Sequence, residues 1–175
     1  MKKPDSMNQA IALLLLTASP AALAHPGDVA GGALHGFAHP FLGMDHLLAM
    51  LIVGMWAARL SGSARWLLPG VFVSFMAVGA ALGGVALPFV EPMIALSVLV
   101  FGLATVMAKH LPVWIGGAVV ALFALYHGHA HFAEMPDTST AGFVAGMLLA
   151  TGLLHLAGIC IVLLAARMRA RQPVA

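Results

Sequence analysis

The chain has 175 residues, of which 62% are hydrophobic and only 8% are charged, and its net charge is +2. Soluble domains carry about 25% charged residues, so this composition excludes a soluble globular domain and predicts an integral membrane protein. The small net charge does not indicate nucleic-acid binding. Long uninterrupted apolar runs are typical of membrane helices rather than of β-barrels. The predicted fold class is therefore all-α, a polytopic membrane helix bundle.

The N-terminal segment has the pattern of a secretory signal peptide. Lys2 and Lys3 precede a short apolar run, and the segment ends in Ala-Leu-Ala before His25. The run is too short to span a bilayer comfortably. We predict a cleaved signal peptide over residues 1–24, with an uncleaved first helix as the alternative. Residues 25–175 then form a single membrane domain whose mature N-terminus lies outside the cytoplasm.

Five long apolar segments follow a polar, glycine-rich stretch at 25–38, which is expected to form a loop or a short half-buried helix. A transmembrane helix needs about 20 residues. The predicted spans are about 41–60, 66–87, 92–108, 112–131 and 141–166. Because the connections are short, neighbouring helices should be antiparallel and belong to one bundle.

The distribution of charge agrees with this topology. With an external N-terminus, the basic residues fall on the cytoplasmic side, as the positive-inside rule requires; they are Arg59, Arg65, Lys109, Arg167, Arg169 and Arg171. The external side is acidic and holds Asp28, Glu91, Glu134 and Asp137. The sequence therefore predicts a multi-pass membrane protein with an external N-terminus and a cytoplasmic C-terminus.

The first span opens with the most unusual polar group of the chain. It carries His39 before Pro40, and then Asp45 and His46 side by side. A carboxylate in the hydrocarbon region costs about 2.5–3.5 kcal/mol on insertion scales, so such a group usually has a function. We expect Pro40 in the first helical turn, with His39 and His46 two turns apart on one helical face. Asp45 could bind a metal directly or orient an imidazole.

The fourth span ends in a second histidine-rich segment at the same, external, membrane level. It contains His127, His129, His131 and Glu134. His127 and His131 share a helical face, whereas His129 points elsewhere. Since the first and fourth spans can be neighbours, we predict one site formed by His39, Asp45, His46, His127, His131 and Glu134. His25, His35 and His129 are weaker candidates.

Imidazole and carboxylate together suit nickel, cobalt, zinc, copper and iron(II), so the residues predict a divalent-metal site open to the outside. A buried polar pair at Asp45 and His46, or a solvated helix end at His127, His129 and His131, is the structural alternative. A metal-dependent intramembrane hydrolase is the enzymatic alternative. His155 is expected to be a hydrogen-bonded packing residue, and the methionines Met44, Met50 and Met55 are interpreted as packing groups.

Two motifs resemble the HupE/UreJ family of bacterial membrane proteins. The first family motif is His, five residues and Asp-His, and it falls on His39, Asp45 and His46. The second is Phe-His-Gly-x-Ala-His-Gly-x-Glu, and the chain reads YHGHAHFAE from 126 to 134. Tyr126 and Phe132 depart from this pattern, and His129 falls at a variable position. The resemblance extends over essentially the whole chain.

The resemblance implies a permease for Ni²⁺, and in some relatives Co²⁺, that supplies hydrogenase or urease maturation. It implies facilitated or secondary transport across the bacterial inner membrane, with no energy-coupling domain expected. No enzymatic activity and no prosthetic group are expected, and the partners are the metal ion, the lipid bilayer and metalloenzyme maturation proteins. A non-transporting metal-binding accessory protein remains the alternative. The sequence does not identify the oligomeric state.

Overall fold

The computed structural model describes residues 29–108, 110–133, 135 and 140–171, and within these residues it contains helices and no strand. The predicted all-α fold is confirmed. The predicted signal peptide lies outside the described residues. The helices are α1 (Val29–Ala38), a 3-10 turn (His39–Phe41), α2 (Met44–Ala58), α3 (Ala64–Ala81), α4 (Val90–Val106), α5 (Val113–Ala133) and α6 (Thr140–Ala170).

Three helices in the described part of the chain are long and apolar enough to cross a membrane: α3, α5 and α6. The bent pair formed by Gly32–Phe41 and α2 counts as a fourth candidate span. Helix α4 has 17 residues, a length of about 26 Å at 1.5 Å per residue, which falls short of a hydrocarbon core of about 30 Å. The structure thus supports three or four candidate spans where the sequence predicts five, and the predicted third span is the short one.

The prediction that His39 and His46 lie two turns apart on one helical face is wrong. His39 belongs to the 3-10 turn that continues α1, and the chain bends by 80° before α2 begins. Gly43 lies at the bend in an extended conformation and is the N-cap of α2. A Cβ atom at Gly43 would lie 3.0 Å from His46 Nδ1 and 3.1 Å from Asp45 Oδ1. Glycine therefore leaves room for both side chains at the start of the helix.

Contacts between the helices confirm an alternating up-and-down arrangement. His46 on α2 meets His127 near the C-terminal end of α5, while Trp56, further along α2, packs on Gly116 near the N-terminal end of α5. These two helices are therefore antiparallel. Leu68 on α3 approaches Gly116, and Met76 approaches Gly128, so α3 and α5 run parallel. His46 and His127 consequently lie at the end of the bundle opposite Trp56.

Glycines set the three closest helix crossings, which join α1 to α6, α2 to α6 and α3 to α5. At each crossing both helices place a glycine where a Cβ atom would collide with a backbone carbonyl of the partner, the close approach that small residues permit in membrane proteins. The pairs are Gly36 and Gly146, Gly54 and Gly158, and Gly79 and Gly128. Large apolar side chains such as Leu99 and Leu153 remain exposed on the outer helix faces, as expected of a surface solvated by lipid.

Candidate metal site

Four histidines from three segments meet at one end of the bundle. The ring centroids of His39 and His131 lie 4.8 Å apart, those of His46 and His131 4.6 Å apart, and those of His46 and His127 4.8 Å apart. We call these four residues the outer cluster. Although the predicted first helix is broken, both of its histidines still contact His131. The prediction that the two distant histidine segments come together is thus confirmed.

Asp45 holds His46 in a defined orientation. His46 Nδ1 and the backbone N–H of His46 both donate to Asp45 Oδ1, over 2.9 Å and 2.8 Å. Asp45 also lies in the first turn of α2, where a negative charge complements the positive end of the helix dipole. Because Nδ1 carries the proton, the lone pair of His46 is on Nε2, and that atom is buried without a hydrogen-bond partner. A carboxylate that orients an imidazole in this way is a common device of metal sites.

Ser97 on α4 orients His127 through a hydrogen bond with its ring. The Ser97 hydroxyl donates to the carbonyl oxygen of Ile94 over 2.6 Å. A hydroxyl has one proton, so the 3.0 Å contact between Ser97 Oγ and His127 Nε2 requires that Nε2 donates. The lone pair of His127 is therefore on Nδ1, which is buried and has no hydrogen-bond partner.

Replacing Ser97 with alanine is expected to weaken metal binding while leaving the protein folded. The substitution removes the group that selects the His127 tautomer, and loss of such a supporting partner costs about 10- to 100-fold in metal affinity. Titration of purified protein with Ni²⁺ measures the change. Ser74→Ala is the matched control, because Ser74 is exposed on α3. Equal affinities in the two variants would contradict this role of Ser97.

His131 is buried in the outer cluster without a hydrogen bond. Its side chain is 1% exposed, and neither ring nitrogen has a hydrogen-bond partner. Phe143 on α6 packs against His39, with ring centroids 5.4 Å apart, and Phe72 on α3 packs against His127 at 5.5 Å. Aromatic side chains therefore pack against two members of the outer cluster.

The remaining sequence-predicted residues fall in three groups. His35 is exposed and lies 6.4 Å from His39 between ring centroids, at the outer edge of the cluster. Among the described histidines, His129 is half-buried and stays outside these ring contacts, as its helical position predicts. His25 and Glu134 lie outside the described residues.

The outer cluster is not a ready-made coordination shell. Within the described ranges, no three His, Cys, Asp or Glu side chains are arranged so that they could hold a metal ion together. The imidazoles instead touch through their rings, at interplanar angles between 53° and 89°. Ligation by several of them therefore requires side-chain rotation that turns their nitrogens toward a common point.

Comparison with known proteins identifies the family of the chain. A family model described as "HupE / UreJ protein" matches residues 12–175. The chain belongs to the HupE/UreJ family. Protein HupE of Rhizobium leguminosarum bv. viciae is 49% identical to it over 139 residues, which cover 78% of this chain and 73% of the relative. No solved structure matches the chain.

Phe132, which replaces the glycine of the second HupE/UreJ motif, has a defined place in the structure. Its ring lies against Gly83, in the turn after α3, where a Cβ atom at position 83 would collide with it. The side chain is 37% exposed, so it points away from the buried face that carries His127 and His131. The substitution thus adds a contact between α5 and the end of α3.

Sequence reasoning missed the residues that support the histidines. Ser97, Phe72 and Phe143 come from three different helices, and each looks like an ordinary residue of an apolar span. A hydroxyl in a span is the only signal that the sequence offers for Ser97. Its role depends on a contact between residues 30 positions apart, which spacing along one helix does not reveal.

Proposed function

We propose that this HupE/UreJ protein is a permease for a divalent transition metal, Ni²⁺ or Co²⁺, which it supplies for the maturation of a hydrogenase or urease. One observation carries the proposal: His46, His127 and His131 are in ring contact and each keeps a buried ring nitrogen without a hydrogen-bond partner. Buried polar groups are normally hydrogen-bonded. Several orphaned nitrogens at one place indicate a position that is completed by a ligand.

The ligand type follows from the donors. Neutral imidazole nitrogen is a good ligand for Ni²⁺ and Co²⁺, and Asp45 adds a negative charge next to His46. This charge offsets part of the large cost of moving a dication out of water. In the proposed site, His46, His127, His131 and His39 take the ion by rotating their rings, and Asp45 holds His46 as they do so. Glu134 adds further charge, and His25 and His35 have auxiliary roles, whereas His129 is not assigned to the site.

We further propose that the outer cluster faces the periplasm and that the protein lies in the bacterial inner membrane with a cytoplasmic C-terminus. Arg59 and Arg65 flank the connection between α2 and α3, at the end of the bundle opposite the histidines. Arg167 and Arg169 lie in the last turn of α6. Basic residues concentrate on the cytoplasmic side of membrane proteins, so this distribution favours metal capture from outside.

A metal-binding accessory protein that does not transport is the second candidate. It is favoured by the apolar packing beneath the outer cluster, where Trp56, Leu68 and Phe101 are almost fully buried and fill the bundle on the side away from the histidines. In that case the metal would bind at the outer end and be handed to a maturation partner. An intramembrane hydrolase would require a position for an activated water on the metal, and no observation favours it.

Flux and binding measured on one preparation distinguish these functions. The purified protein is reconstituted into liposomes that contain a metal-sensitive dye, and Ni²⁺, Co²⁺ and Zn²⁺ are added outside. A permease gives entry that saturates with metal concentration and exceeds entry into protein-free liposomes. Saturable binding without entry would overturn the permease and support the accessory protein.

A further inference from the structure

Another histidine lies deeper in the bundle and takes part in none of the interactions described above. His155 on α6 is fully buried, and neither of its ring nitrogens has a hydrogen-bond partner. The hydrogen bond expected for this residue is therefore absent among the described residues, whereas its burial agrees with packing. An imidazole is costly to bury without partners, so His155 is a candidate for contact with a ligand.

Two thioether sulfurs contact Thr151, which precedes His155 by one helical turn on α6. The Thr151 hydroxyl is 3.4 Å from Met50 Sδ and 3.8 Å from Met76 Sδ. Thr151 and His155 are four residues apart on α6, a spacing that places side chains next to each other on one helix face. All four side chains are fully buried.

Contacts of the neighbouring helices hold this group together. Gly54 of α2, four residues after Met50, touches the backbone of His155. Phe72 of α3, four residues before Met76, packs its ring on the His155 imidazole with centroids 5.0 Å apart. Helices α2, α3 and α6 therefore bring one imidazole, two thioethers and one hydroxyl to a common region.

Phe72 contacts both this region and the outer cluster. Its ring centroid lies 5.5 Å from that of His127 and 5.0 Å from that of His155. His127 belongs to the outer cluster and touches His46. A single aromatic side chain therefore packs on both the outer cluster and the imidazole of His155.

We propose that His155, Met50, Met76 and Thr151 form a second, inner metal site, which the dication occupies after the outer cluster. The role of this site in transport rests on the proposed permease function. Metal binding at the site does not depend on that function. The four side chains supply only neutral ligands, in contrast to the outer cluster with its Asp45 carboxylate. Such a site holds a dication weakly, and conduction requires sites from which an ion can leave.

The sulfur ligands provide the most direct test. X-ray absorption at the nickel edge is recorded on full-length protein in a Cys160→Ser background, since Cys160 is the single cysteine. With excess Ni²⁺, the spectrum is expected to contain a sulfur contribution that disappears in Met50→Leu, Met76→Leu protein. Leucine conserves volume and apolar character, so the fold should persist. The matched control replaces two exposed methionines, Met107 and Met168, with leucine and should retain the sulfur contribution.

The absence of sulfur in the parent spectrum, or its persistence after removal of Met50 and Met76, would overturn the inner site and leave His155 as a packing group. This outcome does not depend on transport. If wild-type liposomes show no Ni²⁺ entry while the sulfur contribution is present and sensitive to these methionines, the permease function fails and the inner site stands.

If wild-type protein carries Ni²⁺ into liposomes, the His155→Leu variant tests whether the inner site lies on the transport route. It is expected to reduce entry about 10-fold or more while Ni²⁺ affinity at the outer cluster changes less than about twofold, because a lost ligand of one site leaves the other intact. His110→Leu is the control, since His110 is exposed near the start of α5. Unchanged entry in folded His155→Leu protein would overturn the role of His155 in transport.

Discussion

Replacing His46 with alanine is expected to weaken Ni²⁺ binding by about 100-fold or more. Loss of a residue that only supports a ligand costs about 10- to 100-fold, and loss of the ligand itself should cost at least as much. His46 has a central position in the outer cluster, because its ring contacts both His127 and His131. The variant removes the Nε2 lone pair and leaves the Asp45 carboxylate without its imidazole partner. Equilibrium titration of detergent-solubilised protein with Ni²⁺ measures the loss.

His129→Ala is the matched control for this variant. His129 also lies in a helix near the cluster but outside its ring contacts in the described part of the chain, so its replacement should change affinity less than about threefold, far below the effect of losing a ligand or its orienting partner. An affinity for Ni²⁺ that is the same in His46→Ala as in wild type would contradict the assignment of His46 to the metal site. A large loss in His129→Ala would show that the ligand face of α5 is misassigned.

Gly128→Ala is expected to destabilise the bundle by about 3 kcal/mol or more, at the upper end of the cost of overpacking. A Cβ atom at this position would collide with the carbonyl oxygen of Met76. A helix backbone cannot give way as the end of a flexible side chain can, so α3 and α5 would have to separate. Since Gly128 follows His127 directly, the displacement also moves a residue of the outer cluster. Unfolding in mixed micelles measures the change in stability.

The same helix provides a control. A Cβ atom added at Gly117 on α5 would have no neighbouring atom within 4 Å, so Gly117→Ala should leave stability unchanged or raise it by up to about 1 kcal/mol, because alanine favours the helix over glycine. Equal stability of the two variants would mean that the crossing of α3 and α5 tolerates side chains, and would contradict the close approach of these helices.

Much of this architecture follows from local properties of the sequence. Apolar segments predict the helices because the bilayer requires every backbone polar group to be bonded within a span. The cost of a carboxylate in such a segment predicts a functional position at Asp45, and the four-residue spacing of His127 and His131 predicts their common face. The structure bears out both the helices and the meeting of the two histidine segments.

The break between the 3-10 turn and α2 is not predictable in the same way. Leu42 and Gly43 continue an apolar run, and hydropathy does not distinguish a straight helix from one bent by 80°. The bend is accommodated by packing of α1 on α6 at Gly36 and Gly146. This contact joins residues far apart in the chain, so it cannot be predicted from the residue pattern of one segment.

The environment of the inner histidine is hidden from the sequence for a related reason. His155 and Met50 look like isolated residues in two apolar helices, where a packing role is the ordinary interpretation. Only the crossing of α2 and α6 at Gly54 and Gly158 brings their helix faces together. The glycines are visible in the sequence, but the partner of each crossing is not.

Ni²⁺ entry into proteoliposomes made with wild-type, Asp45→Ala and His46→Ala protein is the measurement that tests the central claim most directly. All three proteins are reconstituted at equal density around a metal-sensitive dye. The proposed mechanism predicts saturable entry with wild-type protein and entry at the level of protein-free liposomes with both variants. Saturable entry that persists in folded His46→Ala protein would contradict metal capture by the outer cluster.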